Sequence, residues 1–108
     1  MEQNRKPTIQ EELLLEILVK KSLIPFHENW KDGLLVHPML DGQMGSLYLF
    51  PKGKNYTNRL FNRQISDYSF EDNDGILVIA SLIIDQNNEL FELDIWKTDF
   101  SKLLAINI

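Results

Sequence analysis

The chain opens with apolar residues at the spacing of an amphipathic α-helix. The residues that carry this spacing are Ile9, Leu13, Leu14, Ile17 and Leu18. Thr8 and Glu11 form a capping-box pattern, in which the threonine oxygen accepts from the third helical amide and the glutamate reaches back to the Thr8 amide. We therefore predict a helix that begins after Thr8 and that has ended by Pro25, because proline cannot continue a helix.

From residue 34 onward the pattern changes to the short, alternating runs that are typical of β-strands. Residues 34–40 and 45–50 flank the turn sequence Asp41-Gly42 and predict a first hairpin. Pro38 has no amide donor, so we expect its strand to lie at an edge of the sheet or to end in a bulge.

Three further strands are predicted as a meander, at residues 65–71, 76–84 and 89–96. The middle run is apolar on both alternating faces except at Ser81, so we expect it to be the central strand, with the helix on one of its faces. Alternation along the last run predicts that Phe91, Leu93 and Ile95 share one face, and that the other face carries Leu90, Glu92, Asp94 and Trp96. The predicted fold class is α+β, an N-terminal helix packed on an antiparallel β-meander sheet of about five strands.

The remaining segments complete the predicted organisation of the chain. Residues 51–62 form the longest irregular stretch, and a loop of this length is often functional or contains a short helix. Residues 99–104 are expected to add one helical turn capped by Asp99 or Thr98. The length of 108 residues suits one core, so we predict a flexible N-terminus at residues 1–7 and a single domain at residues 8–108.

Composition argues against several kinds of site. The chain has no cysteine, which excludes disulfides, thiolate metal sites and cysteine nucleophiles. His27 and His37 lack the spacing of a helical zinc pair, and the acidic segments 72–75 and 85–89 do not match the ligand positions of a calcium loop. We expect no metal and no cofactor. Without an apolar leader or a long apolar run, we expect no membrane association and a cytoplasmic location.

The net charge of −5 is divided unevenly along the chain. Residues 1–64 carry nine Lys or Arg against seven Asp or Glu, whereas residues 65–108 carry two against nine. Two interpretations stay open: attraction between the halves within one fold, and an acidic surface for a basic partner. The basic loop with Lys52, Lys54, Arg59 and Arg63 favours packing onto the acidic half, and we expect no nucleic acid because the chain as a whole repels polyanions.

The least ordinary combination of residues lies in and after the last predicted strand. Glu92, Asp94 and Trp96 share one strand face, and Lys97 and Asp99 follow. Carboxylates two residues apart on a strand are separated by about 6–7 Å, a distance within the range that acid–base pairs use. The alternative is an ordinary half-exposed strand in which Lys97 pairs with a carboxylate.

Three segments resemble the signature of small bacterial proteins that are grouped as a domain of unknown function. They are DGQMGSL at 41–47, FEDNDG at 70–75 and ELDIWKTDF at 92–100. The resemblance covers roughly residues 8–104, and the last segment is the most specific. It implies a bacterial single-domain protein and no catalytic residue.

These observations lead to three functional hypotheses. The first is a non-enzymatic interaction protein that binds a protein partner, expected to be basic, through an acidic sheet face around Asp72, Asp74, Glu92, Asp94 and Trp96. A toxin-neutralising, immunity-like role is its concrete form. The second is a small-ligand binder or hydrolase-type enzyme that uses Asp94, Lys97 and Asp99 beside the 51–62 loop. The third is a structural homodimer that buries its uncovered sheet face against a second copy.

Overall fold

The helix predicted at the start of the chain is confirmed in the computed structural model, which describes residues 3–55 and 57–108. Helix α1 spans Ile9–Lys20. The Glu11 amide donates to Thr8 Oγ1 at 3.1 Å, and the Thr8 amide donates to Glu11 Oε1 at 2.8 Å, which completes the capping box. The last turn closes where the Lys21 amide donates to the Ile17 carbonyl at 3.0 Å, four residues before Pro25.

Five antiparallel strands follow the helix in a single sheet, which confirms the α+β class. They are β1 (Leu35–Pro38), β2 (Leu47–Phe50), β3 (Phe61–Glu71), β4 (Leu77–Asp85) and β5 (Leu90–Lys97), in the order β1-β2-β5-β4-β3. A single 3-10 turn at Pro51–Gly53 follows β2, and Lys52 in its middle has a φ of +58°, so the irregular stretch contains one turn and not a regular helix. The last three strands form the predicted meander, and the first hairpin joins them through β2.

The central strand is β5 rather than β4, so the prediction for residues 76–84 was wrong on this point. The first hairpin docks on the free side of β5, with Leu47 opposite Leu93 and Tyr48 opposite Glu92. Strand β4 lies second from the edge, between β5 and β3. A run that is apolar on both faces indicates that its side chains are buried, but it does not indicate which strands lie beside it in the sheet.

The two edges of the sheet differ. Strand β1 is an edge strand, as Pro38 predicted, and its outer side is covered by Arg5, whose amide and carbonyl pair with those of Val36 at 2.9 and 2.7 Å. Part of the terminus that was predicted to be flexible is therefore anchored, while Met1 and Glu2 lie outside the described residues. The opposite edge is β3, a strand of 11 residues.

Two local predictions about the C-terminal region were wrong. A register shift between Ile83 and Ile84 places Leu90 opposite Ile84 in the core, so Leu90 does not share a face with Glu92. Residues 99–104 form no helical turn, because Phe100 has a φ of +64°. The amides of Leu104 and Ala105 instead donate to Asp72, at 2.8 and 3.0 Å.

The hydrophobic core lies between α1 and one face of the sheet. The helix contributes the fully buried residues Leu14, Leu15 and Leu18, and its end is tied to the edge strand because Ser66 Oγ donates to the Leu18 carbonyl at 2.7 Å. The sheet contributes alternate residues from every strand, among them Val36, Leu47, Leu49, Phe70, Val78, Ala80, Leu82, Leu93 and Ile95. The opposite face of the sheet is left for other contacts.

Candidate interaction face

The face of the sheet opposite α1, here called the open face, carries the side chains that alternate with the core residues. Within residues 3–55 and 57–108, neither an α-helix nor a further strand lies across it. Its members are Leu35, His37, Tyr48, Phe50, Gln64, Asp67, Ser69, Glu71, Leu77, Ile79, Ser81, Ile83, Glu92, Asp94 and Trp96.

Cross-strand pairing arranges the middle of the open face as a short acidic row beside a mixed one. Asp67, Ser81 and Asp94 lie opposite one another on β3, β4 and β5. On the neighbouring row Glu92 lies between Ile83 and Tyr48. Directly paired side chains on one face have Cβ atoms about 4.5–5.5 Å apart. The carboxylates of β5 and β3 therefore belong to one continuous surface.

Glu92 and Asp94 are close enough to perturb each other's ionisation. Burial raises the pKa of Glu92, and the charge of Asp94 and a hydrogen bond between the two carboxyl groups raise it further, to about 7. The positive charge of Arg59 acts in the opposite direction and is the smallest of these effects. Near neutral pH, Glu92 therefore carries its negative charge only part of the time. A cation placed over Glu92 and Asp94 would favour the ionised form of Glu92.

Aromatic side chains border the carboxylates. Trp96 is 44% exposed and packs against Phe100, which is 70% exposed, with ring centroids 5.9 Å apart. Tyr48, on the other side of Glu92, is 41% exposed. Aromatic side chains are enriched in protein-binding surfaces, where the rings supply contact area, and charged groups beside them can orient the partner.

Lys97 and its two carboxylates lie apart from the open face. Alternation turns Lys97 toward the core side, where its Nζ donates to Asp72 Oδ2 at 2.9 Å, to Asp74 Oδ2 at 2.7 Å and to the Lys102 carbonyl at 3.1 Å. Burial lowers the pKa of Lys97, but the hydrogen bonds and charges of the two carboxylates outweigh it and raise the pKa above its usual value. Lys97 therefore pairs with a carboxylate, as one interpretation expected, but it does so from a buried position and not from a half-exposed strand.

Asp72 is the centre of this ion cluster and anchors the C-terminal segment. Its side chain accepts from Lys97 and from the amides of Asn73, Leu104 and Ala105. Burial raises the pKa of Asp72, but these hydrogen bonds together lower it to about 2. Because the residue is only 3% exposed, its carboxylate stabilises the fold and has no surface to offer a partner. The Asp74 side chain is 39% exposed.

Asp94, Lys97 and Asp99, which the second hypothesis placed near one pocket, do not converge. Asp94 is on the open face, Lys97 is on the core side, and Asp99 follows β5 in a turn where it accepts from the Ser101 amide at 3.0 Å. The hydrogen bonds from the Ser101 hydroxyl and the Ser101 amide to the Asp99 carboxylate lower the pKa of Asp99.

A groove does lie beside the 51–62 loop, at the β1–β2 end of the open face. Its volume is about 620 Å³, and it is lined by Gln3, Asn4, Leu35, His37, Tyr48, Phe50, Gly53 and Asn55. None of Asp94, Lys97 and Asp99 lines it. Tyr56, in the same loop, lies outside the described residues.

Arg59 was predicted only as one member of a basic loop, and the structure gives it a specific role. Its Nε donates to Asp85 Oδ2 at 2.9 Å, and its remaining nitrogens donate to the carbonyls of Leu49 and Leu90. The guanidinium also lies 4.8 Å from the centroid of the Phe91 ring. This contact joins the basic loop to the acidic half of the chain, as one interpretation of the charge pattern proposed. The sequence gives no sign of which carboxylate is the partner.

The described part of the chain groups no three His, Asp or Glu side chains in a way that would hold a metal ion. None of its helices is long and apolar enough to span a membrane.

Comparison with known proteins identifies the family. The model of a domain of unknown function, DUF6984, matches residues 4–107. No curated protein and no solved structure matches the chain. The chain belongs to the DUF6984 family, in agreement with the expected resemblance to a domain of unknown function.

Proposed function

We propose that this chain is a non-enzymatic interaction domain that binds a basic segment of a protein partner on its open face. The observation that carries the proposal is that a sheet packed by a helix on one side presents exposed aromatic rings beside carboxylates on the other. Glu92, Asp94 and Asp67 supply the negative charge, and Trp96 and Tyr48 supply the apolar contact area. Asp72, which the sequence also suggested, is left out because it is buried.

The electrostatics of Glu92 favour a cationic partner over a neutral one. Burial and the neighbouring charge of Asp94 raise the pKa of Glu92, so bringing this carboxylate to full charge is unfavourable in the free protein. A lysine or arginine side chain seated over the pair would offset that repulsion and promote release of the Glu92 proton. Binding should therefore strengthen as the pH rises from about 6 to 8, and it should weaken with added salt.

The test is capture of the partner from the organism that encodes the chain, followed by affinity measurements with the purified pair. Glu92→Lys should lower the affinity at least tenfold, whereas Glu28→Lys should not change it. Glu28 is an exposed residue of the connector after α1, so both variants change the net charge equally and differ only in place. Equal effects of the two substitutions would show that net charge, and not the open face, controls binding.

An aromatic variant separates apolar contact from charge. Truncating a central interface tryptophan commonly costs about 2 kcal/mol or more of binding free energy, so Trp96→Ala should weaken the purified complex without removing its salt dependence. Unchanged affinity would remove Trp96 from the interface.

The concrete form of this proposal is an immunity-like role, in which the partner is a basic toxin. The support is that the chain is small and acidic, as some toxin-neutralising immunity proteins are, and this is a likeness of general type only. Coexpression tests it: the chain should relieve growth inhibition by a toxin encoded beside it, and Glu92→Lys should abolish that relief while Glu28→Lys preserves it. Failure of the unmodified chain to protect would end the toxin version and leave the interaction proposal standing.

A small-ligand role is the second candidate, and the groove beside the 51–62 loop favours it. Its volume of about 620 Å³ lies in the range of small-molecule sites, and its carboxamide and aromatic residues suit a neutral polar ligand. A fragment screen by NMR tests this candidate. Saturable shifts of the Tyr48 and His37 signals would support it, and their absence across a library of sugars and nucleosides would oppose it.

A further inference from the structure

The outer edge of β3 presents backbone groups at alternate residues. The Asp72 amide donates to the Ile76 carbonyl across the turn into β4, so its N–H points inward. The Ile65 carbonyl accepts from the Leu23 amide at 3.1 Å from outside the sheet, so it points outward. Ile65 itself lies at the register shift between Gln64 and Ser66, but the pairing with β4 is regular from Ser66 to Glu71. Because the direction alternates along a regular strand, the inward Asp72 amide implies that Asp67, Ser69 and Glu71 direct their N–H and C=O groups away from β4.

This open stretch of backbone is short and has defined ends. Leu23 closes it at Ile65, and Asn107 closes it at Glu71, whose carbonyl accepts from Asn107 Nδ2 at 3.0 Å. Between these points, the N–H and C=O groups of Asp67 and Ser69 and the N–H of Glu71 make no hydrogen bond within the part of the chain that the structure describes. The other edge of the sheet differs, since Arg5 covers it and Pro38 shortens it.

We propose that the partner adds a short, extended segment with basic residues at alternate positions as a sixth strand along Asp67–Glu71. This inference rests on the proposed function and specifies how that partner binds. Addition of a strand to an open edge satisfies backbone groups and leaves alternate side chains to provide specificity. Asp67, Ser69 and Glu71 alternate onto the open-face side, so the incoming residues that face them are best cationic.

Charge makes a second copy of the chain a poor occupant of the same edge. Antiparallel pairing of two β3 strands would bring Asp67 and Glu71 of both copies onto one face of the joined sheet, where like charges are unfavourable. The row from Asp67 through Ser81 to Asp94 instead continues the acidic surface from the edge to the centre of the open face. A cationic strand at the edge therefore extends the interface already proposed.

A notch at one end of the stretch gives the added strand a place for an apolar side chain. Its volume is about 280 Å³, and it is lined by Lys21, Leu23, Gln64, Ile65, Ser66 and Asp67. Leu23 is 76% exposed and provides apolar contact there. The segment is thus expected to combine alternate lysine or arginine with one aliphatic residue at this end.

The probe is a capped heptapeptide that alternates lysine and valine, compared with a peptide of the same composition whose four lysines precede its three valines. Amide hydrogen exchange is followed by NMR at saturating peptide. The alternating peptide should slow exchange of the outward amides of Asp67, Ser69 and Glu71 by about tenfold or more, and the block peptide should not. Unchanged exchange at these three amides with the alternating peptide bound would overturn the edge proposal.

Ser69→Pro provides the decisive variant, with Ser69→Thr as its matched control. Proline at 69 removes an outward N–H that β4 does not use, a position where edge strands tolerate proline, and urea unfolding checks that the fold is retained. Peptide binding should be lost in Ser69→Pro and kept in Ser69→Thr. Binding that survives Ser69→Pro but is lost in Glu92→Lys would overturn the edge and retain the open face. Peptide binding that survives both Ser69→Pro and Glu92→Lys would overturn both proposals. If the chain dimerises and Ser69→Pro abolishes the dimer, the occupant of the edge is a second copy of the chain and the proposal of a basic segment is overturned.

Discussion

The substitution Asp72→Asn tests the ion cluster that holds the C-terminal segment. The Asp72 carboxylate has donors on both oxygens, with Lys97 and the Leu104 amide on Oδ2, and the amides of Asn73 and Ala105 on Oδ1. Asparagine matches the shape of aspartate but replaces one oxygen with an NH₂ group. In either orientation that NH₂ faces two donors, so two hydrogen bonds are lost and the Lys97 ammonium keeps one carboxylate fewer.

The expected loss follows from the burial of the pair. Removing one partner of a buried ion pair typically costs about 3–5 kcal/mol, and the Lys97 and Asp72 side chains are 1% and 0% exposed. Since Asp74 remains as a second carboxylate at 2.7 Å, we expect the lower part of that range, about 3 kcal/mol. For a domain of this size the change lowers the Tm by about 10–20 °C.

Urea unfolding followed by tryptophan fluorescence measures the free energy of unfolding, with Asp74→Asn as the control. The Asp74 side chain is 39% exposed, so this variant should lose about 1 kcal/mol or less. Hydrogen exchange at the Leu104 and Ala105 amides should accelerate in Asp72→Asn and stay slow in Asp74→Asn. A loss below about 1 kcal/mol in Asp72→Asn, or an equal loss in the two variants, would refute the role assigned to Asp72.

Three further substitutions follow from the geometry. Folding raises the pKa of Glu92 from 4.5 to about 7, so the folded state keeps a proton that the unfolded state releases, and this penalty grows as pH rises from 4.5 to 7. Full linkage would give about 3 kcal/mol, which solvent screening of this half-exposed group reduces to about 1 kcal/mol. Glu92→Gln should therefore be more stable than the unmodified chain at pH 8 and equal to it at pH 4, and a pH-independent difference in urea unfolding would contradict this. Arg59→Lys should lose about 1–3 kcal/mol in the same assay, because an ammonium cannot reproduce the three-acceptor contact, and a neutral result would refute it. Thr8→Ala should lose about 1 kcal/mol through its capping box, with Thr8→Ser as the variant expected to retain stability.

The sequence predicted those features that depend on neighbouring residues. The capping box of Thr8 and Glu11 requires only four consecutive residues, and the missing amide of Pro38 limits its strand to an edge or to a bulged end. The turns at 72–75 and 85–88 are likewise local, since Gly75 and Asn88 donate to the carbonyls of Asp72 and Asp85. In each case the deciding interaction lies within a few residues along the chain.

Features that depend on the pairing of distant segments were not predictable in the same way. The position of β5 in the centre of the sheet depends on where the first hairpin docks, and Tyr48 and Asp67 joined the candidate site only through their cross-strand partners.

The burial of Lys97 did have a signal in the sequence. Lys97 continues the alternation of Leu93 and Ile95, which places it on the core side, where a charged group requires partners. The identity of those partners required the fold, because Asp72 is 25 residues away.

Chemical-shift mapping of the purified partner onto the isotopically labelled chain shows directly whether the partner binds the open face. We expect the largest amide and side-chain shifts on Tyr48, on β5 from Glu92 to Trp96, and on Asp67, with the indole signal of Trp96 among them. The amides of α1, on the far side of the sheet, should stay unchanged. Shifts centred on α1, with the open face unperturbed, would show that the partner does not bind the open face.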